Sequence, residues 1–193
     1  MGRPRKVTDE QLMAACGRAI GRYGPRFTLA QVAQEAGVAT ATAAERFGSK
    51  QALLEAMLTR ENAGLAERMR EAAATGSTPA GALRAAALEG SESVADAGTA
   101  ANHLAQFGAD LADEALRAGV ATQRDLIRAV LTELAAEAAG ELPGAPPADV
   151  AGRVLAALVH GGQVDWAMRP DGSLVDRLRG DVDAVLEGWA RPR

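Results

Sequence analysis

The side chains best suited to chemistry crowd into one stretch, Thr28 to Lys50. There Thr28, Thr40, Thr42, Arg46, Ser49 and Lys50 supply hydroxyl, guanidinium and ammonium donors. This set suits a polyanion with readable edges. Threonine methyls fit thymine, arginine donates to guanine or phosphate, and Glu45 can accept from cytosine N4. Thr40, Ala41, Thr42, Glu45 and Arg46 are the candidate base- and backbone-reading set. Glu45 would repel phosphate if unpaired, so it either meets a cytosine or turns to Arg46 or another cation. Upstream, the basic arm with Arg3, Arg5 and Lys6 has two readings of equal standing: entry into a narrow minor groove, or a tail that only adds charge. Catalysis has no comparable set. No Gly-rich phosphate loop, metal-spaced His/Cys group or nucleophile elbow occurs, and the two histidines are 57 positions apart. No metal or cofactor is expected.

Short helices must position these donors. Thr28 with Gln31 forms a capping box opening one helix, and Val32, Ala33 and Ala36 share its apolar face. Gly37 falls where the chain needs positive φ to end that helix. Val38 plugs the turn, and a second short helix runs over Thr40–Phe47. A helix, a small-residue turn and a second helix of this length is the layout of a DNA-reading helix-turn-helix. Ahead of it, Thr8 and Gln11 cap a helix with a stripe of Leu12, Ala15, Ala19, Ile20 and Tyr23, stopped by Gly24-Pro25. Ser49 caps a long helix over about 50–73.

The 193 residues carry a net charge of −4, yet the charge is uneven. Residues 1–60 hold nine Lys/Arg against five Asp/Glu, while 61–193 hold twelve against twenty. A basic head on an acidic body fits a DNA-binding module attached to something that does not touch DNA. Abundant alanine, few aromatics and no β-branched runs favour an all-helical chain. The lone Cys16 excludes an internal disulfide and, lying on the first helix's apolar face, reads as a structural thiol in a reducing interior. No secretory h-region or membrane-length apolar run is present, which points to a soluble, cytoplasmic protein without a membrane partner.

Beyond residue 73, helices are expected at about 80–90, 94–108, 113–139, 148–168 and 174–189, broken most strongly at 140–147. In the last helix Val175, Leu178, Val182, Val185 and Trp189 repeat at spacings of 3, 4, 3 and 4, a coiled-coil seam. With Val150, Val154, Leu158 and the flat Gly161-Gly162 patch on the preceding helix, the preferred account is a four-helix interface between two copies. An effector pocket between the long helices would use Asn102, His103, Gln123, His160 and Gln163 as polar anchors. Met57, Phe107 and Trp166 would be its apolar walls. Few cations fall at inner positions, so a neutral, largely hydrophobic effector is expected.

These residues together resemble the tetracycline-repressor (TetR) family of bacterial transcriptional regulators. The match lies in Thr28–Leu58: the opening threonine, the Val32-Ala33-x-x-Ala36-Gly37-Val38 core, the Phe47-x-Ser49-Lys50 junction and Leu53-Leu54. It is sharp over about residues 8–60 and rests elsewhere on helix count. The resemblance implies an all-α homodimer, a palindromic operator and a small-molecule effector that releases DNA. It places Thr28 and Lys50 on phosphates. The sequence departs from the family at Ala39, Ala43 and Ala44, where a serine cap, a branched residue and a tyrosine are usual; the helix loses a cap worth ~1 kcal/mol unless Thr40 substitutes. The expected organisation is a basic arm at 1–7, a three-helix helix-turn-helix head at 8–50, and a six-helix ligand-binding and dimerisation body at 51–193. The expected function is a ligand-responsive repressor. A helical interaction protein with weakened operator binding is the second reading, and an enzyme a distant third.

Overall fold

The computed structural model describes residues 7–192, without the side chains of residues 93 and 94. Within them the chain is all-helical: α1 (Asp9–Tyr23), α2 (Leu29–Ala36), α3 (Thr40–Phe47), α4 (Lys50–Ala73), α5 (Pro79–Leu88), α6 (Ala100–Ala112), α7 (Glu114–Glu137), α8 (Ala148–Met168) and α9 (Leu174–Trp189). Short 3-10 turns lie at Gly24–Arg26, Ser91–Val94 and Ala138–Gly140. No helix is long and apolar enough to cross a membrane.

The expected boundaries hold to a few residues except at α6. That helix starts at Ala100 rather than near 94, after the separate turn at Ser91–Val94. Gly98 explains the delay, since glycine inside a helix costs about 1 kcal/mol relative to alanine. At α5, Pro79 takes the first helical position and the Thr78 hydroxyl accepts the Gly81 N–H at 3.1 Å.

Contacts divide the chain into two compact units. The first holds the described residues up to Arg60 together with Gly98–Gly119; the second holds Glu61–Ala97 and the chain from Val120 onward. Helix α6, within the stretch 51–193 expected to form the body, packs with α1 and the 24–26 turn. Two glycines permit this approach. A Cβ on Gly21 would meet Thr99 Cγ2 at 3.0 Å, and one on Gly24 would meet Asn102 Oδ1 at 3.0 Å. The core of this unit gathers Leu12, Cys16, Ile20, Phe27, Val32, Ala43, Leu53 and Leu116. Cys16 is wholly buried, as its place on the apolar face of α1 implies.

In the second unit α9 buries Leu174, Leu178, Val182 and Leu186, packing on α8 and α5. Leu178 and Val182 are 0 % exposed, so these two members of the expected dimer seam are spent inside the chain. Gly162 belongs with them, because a Cβ there would meet Leu178 Cδ2 of the same chain at 2.5 Å. The side of α8 left outward carries Val154, 39 % exposed, with Val150 and Leu158 half-buried; on α9, Val175, Val185 and Trp189 are half-buried.

Helix α8 meets α7 backbone to backbone at Gly152, where a Cβ would stand 2.8 Å from the Thr132 backbone nitrogen. Backbone cannot swing aside as a side-chain tip can. Gly152→Ala is expected to lower unfolding stability by about 1–3 kcal/mol through overpacking, read as a lower urea midpoint.

Candidate nucleic-acid interface

The interface is built on the capping and turn chemistry of α2 and α3. The Thr28 hydroxyl accepts the Gln31 N–H at 3.3 Å, while Gln31 Oε1 accepts the Thr28 N–H at 2.9 Å, completing the capping box. Gly37 ends α2 in the left-handed region at φ 70°, and the next N–H, of Val38, reaches back to Ala33 O at 2.9 Å. That pairing is the Schellman closure, which satisfies the last carbonyls and fixes the angle at which α3 departs.

Helix α3 starts from Ala39 in extended conformation with no side-chain cap, so Thr40 does not replace the missing serine. Its inner face is sealed by Ala43, 0 % exposed, with Phe47 half-buried beside it. A small residue at 43 lets α3 sit close to the core. Thr40, Ala41, Glu45 and Arg46 are exposed and Thr42 is half-exposed. Most of the expected reading surface is thus on the outside of one short rod.

The cations on this surface are not idle. The Arg46 guanidinium grips the carboxylate of Asp9, in the first turn of α1, with two parallel bonds: Nε to Oδ1, and Nη2 to Oδ2 at 3.0 Å. The Arg46 hydrogen bond holds the Asp9 carboxyl below the usual carboxylate range and raises the guanidinium in turn. Arg46 therefore pairs with Asp9, not with Glu45, and Glu45 makes no ion pair among the described residues. Nearby, Arg60 of α4 donates to Glu10 of α1 at 3.0 Å. Arg22 pairs with Glu35 of α2 at 2.8 Å, where Arg18 also donates to the Glu35 carbonyl. Sequence reading missed Asp9 as a site residue. It stands in the acidic first turn of α1, 37 positions before Arg46, and no local pattern links the two.

Lys50, in the first turn of α4, donates Nζ–H to Pro25 O at 2.6 Å and lies 4.1 Å from the centre of the Phe27 ring. Burial pushes its ammonium down. The carbonyl and the ring face offset the poor placement of a cation at a helix N-terminus. Ser49 caps the same helix, its hydroxyl accepting the Ala52 N–H at 3.0 Å. Arg3, Arg5 and Lys6 lie outside the described residues.

The eight candidate effector residues fall into both units. Met57, Asn102, His103 and Phe107 belong to the first, where Asn102 donates Nδ2–H to Gly21 O at 2.7 Å and so ties α6 to α1. Gln123, His160, Gln163 and Trp166 belong to the second. Trp166 is buried, its indole N–H directed to Gly172 O at 3.3 Å. Arg124 lies 2.9 Å from His160 Nδ1 through Nη2 and is half-buried, so the body does carry an inward cation. A guanidinium has only donors, so Nδ1 accepts and the ring proton sits on Nε2. No cluster of three metal-ligating side chains occurs among the described residues.

Burial first, then the Arg124 charge, holds the His160 imidazole below its ordinary value. The unfolded chain then binds the proton more readily, so this contribution to stability is intact above the unfolded value near 6.5 and declines as pH falls through it. Acidification from about pH 7.5 to about pH 5.5 should lower Tm, and His160→Gln should flatten that slope.

Residues 12–57 match the family model described as bacterial regulatory proteins, tetR family. No curated protein matches the chain significantly. Among solved structures, a TetR transcriptional regulator from Streptomyces coelicolor is 29 % identical, with a TM-score of 0.61 over 96 % of this chain and 99 % of that one. SmeT, the repressor of the multidrug efflux pump SmeDEF of Stenotrophomonas maltophilia, is 20 % identical, with a TM-score of 0.67 over 95 % and 91 %. FadR from Bacillus subtilis, solved with stearoyl-CoA, is 18 % identical, with a TM-score of 0.75 over 94 % and 99 %. Residues 12–57 are thus similar to the N-terminal domain of TetR-family regulators, and over its length the chain shares the all-helical fold of the transcriptional regulators named here.

Proposed function

We propose that the protein is a ligand-responsive transcriptional repressor that binds a palindromic operator as a homodimer. The observation that carries this reading is the outward face of α3, with Thr40, Ala41, Glu45 and Arg46 exposed while Ala43 seals the opposite side. A dimer would set two such rods about 34 Å apart, or a multiple, to enter successive major grooves. FadR, solved with stearoyl-CoA, supports a body that takes a small molecule, and the repressor SmeT supports the direction of regulation. Here the effector is small and largely hydrophobic, with a polar end meeting His160 and Gln163, and it acts by favouring a conformation that fits DNA less well. Function lies in binding rather than catalysis.

The outward stripe of Val154, Val150 and Leu158 on α8, with Val175, Val185 and Trp189 on α9, is the surface assigned to the second copy. Val154→Asp should convert a dimer to monomers in sedimentation equilibrium while leaving helix content unchanged. A wild-type chain that sediments as a monomer at micromolar concentration overturns the assembly.

A gel shift on duplex DNA from upstream of the coding sequence, at two salt concentrations, tests the function itself. Preference for one fragment over competitor supports the repressor. Uniform weak binding favours a helical interaction protein, the reading that the uncapped start of α3 keeps open. Lys50 retains donors beyond the one given to Pro25. Lys50→Ala should weaken all binding and reduce the slope of log K against log salt by about one unit, with Tm measured alongside because the residue also packs on Phe27.

A further inference from the structure

The guanidinium of Arg46 presents five N–H donors on a rigid plane. Asp9 takes one side of that plane, the Nε–H and one N–H of Nη2. The end of the fork, two N–H groups on Nη1 and one on Nη2, is left directed away from Asp9. Arg46 is otherwise a long, exposed chain whose rotamers must be frozen before it can meet a pair of acceptors. A carboxylate already aligned on its flank does that freezing in advance. Asp9 is suited to the task because the first turn of α1 stabilises its negative charge. Glu10, the next residue, is a different case: it reaches Arg60 on α4 and leaves α3 alone.

We infer that Asp9 is a positioning residue for DNA recognition, holding Arg46 on α3 so that its free fork meets a pair of acceptor atoms on the operator. The acceptors are guanine O6 and N7 or two phosphate oxygens, which share this chemistry. The inference rests on the DNA-binding reading and deepens it. It runs against simple electrostatics, because removing a negative charge near DNA ordinarily tightens binding.

The test uses full-length protein and a duplex selected from a random-sequence pool by the wild-type chain. Asp9→Asn and Glu10→Gln remove the same charge from neighbouring positions. Asp9→Asn is expected to weaken binding about fivefold, whereas Glu10→Gln leaves it unchanged or tightens it. In the Arg46→Ala background Asp9→Asn should no longer weaken binding, a coupling that a merely structural role for Asp9 would not produce. A loss confined to one base pair in each half-site identifies guanine. A loss uniform across sequences, with a shallower salt slope, identifies phosphate. If Asp9→Asn binds as well as wild type or better, Asp9 competes with DNA for Arg46 and the inference is overturned while the regulator reading stands. If the wild-type chain enriches no sequence, both fall together.

Discussion

Phe27 and Lys50 form the joint on which the head of this protein depends. The ring is 1 % exposed and belongs to the core made by α1, α2, α3 and the start of α4. The lysine ammonium lies over that ring and donates to Pro25 O in the turn that follows α1. One residue at the first position of α4 therefore fixes the end of α1, the entry to α2 and its own helix together. Without that joint the capping box of α2 and the turn at Gly37 would still form and set the departure of α3, but the start of α4 would lose its tie to the turn after α1. A charge half-withdrawn from water is tolerable there because it keeps one strong acceptor and a π face.

The ion pairs of the head follow a common plan. Asp9 and Glu10 in the first turn of α1 hold Arg46 of α3 and Arg60 of α4, while Glu35 of α2 collects Arg18 and Arg22. Each joins two different helices, and the Asp9–Arg46 and Glu10–Arg60 pairs are exposed enough that their worth to stability is small. Their value lies in orientation. The apolar core supplies cohesion, and charged pairs on its rim fix which way these arginines point.

The second unit shows how alanine-rich helices pack. Gly152 lets α8 approach the backbone of α7, and Gly162 accepts Leu178 from α9. With α9 turned so that Leu174, Leu178, Val182 and Leu186 face inward, the coiled-coil spacing read from Val175 to Trp189 is split: part serves the intrachain core and part stays on the surface. Two overlapping stripes of period 3.6 share one short helix, and spacing alone cannot say which of them faces the core.

What the sequence determined by itself is local: helix starts at Thr8, Thr28 and Ser49, the helix end at Gly37, and the residues of α3 available to the outside. These follow from hydrogen bonds and steric limits within a few residues, so they are written in short motifs. Only the tertiary structure decided that Arg46 pairs with Asp9 and Lys50 with Pro25 and Phe27. The same is true of the grouping of α6 with the head and of the burial of Leu178 and Val182 within one chain. Those choices depend on which distant surfaces meet, and a guanidinium or a leucine carries no record of its partner until packing brings one within reach.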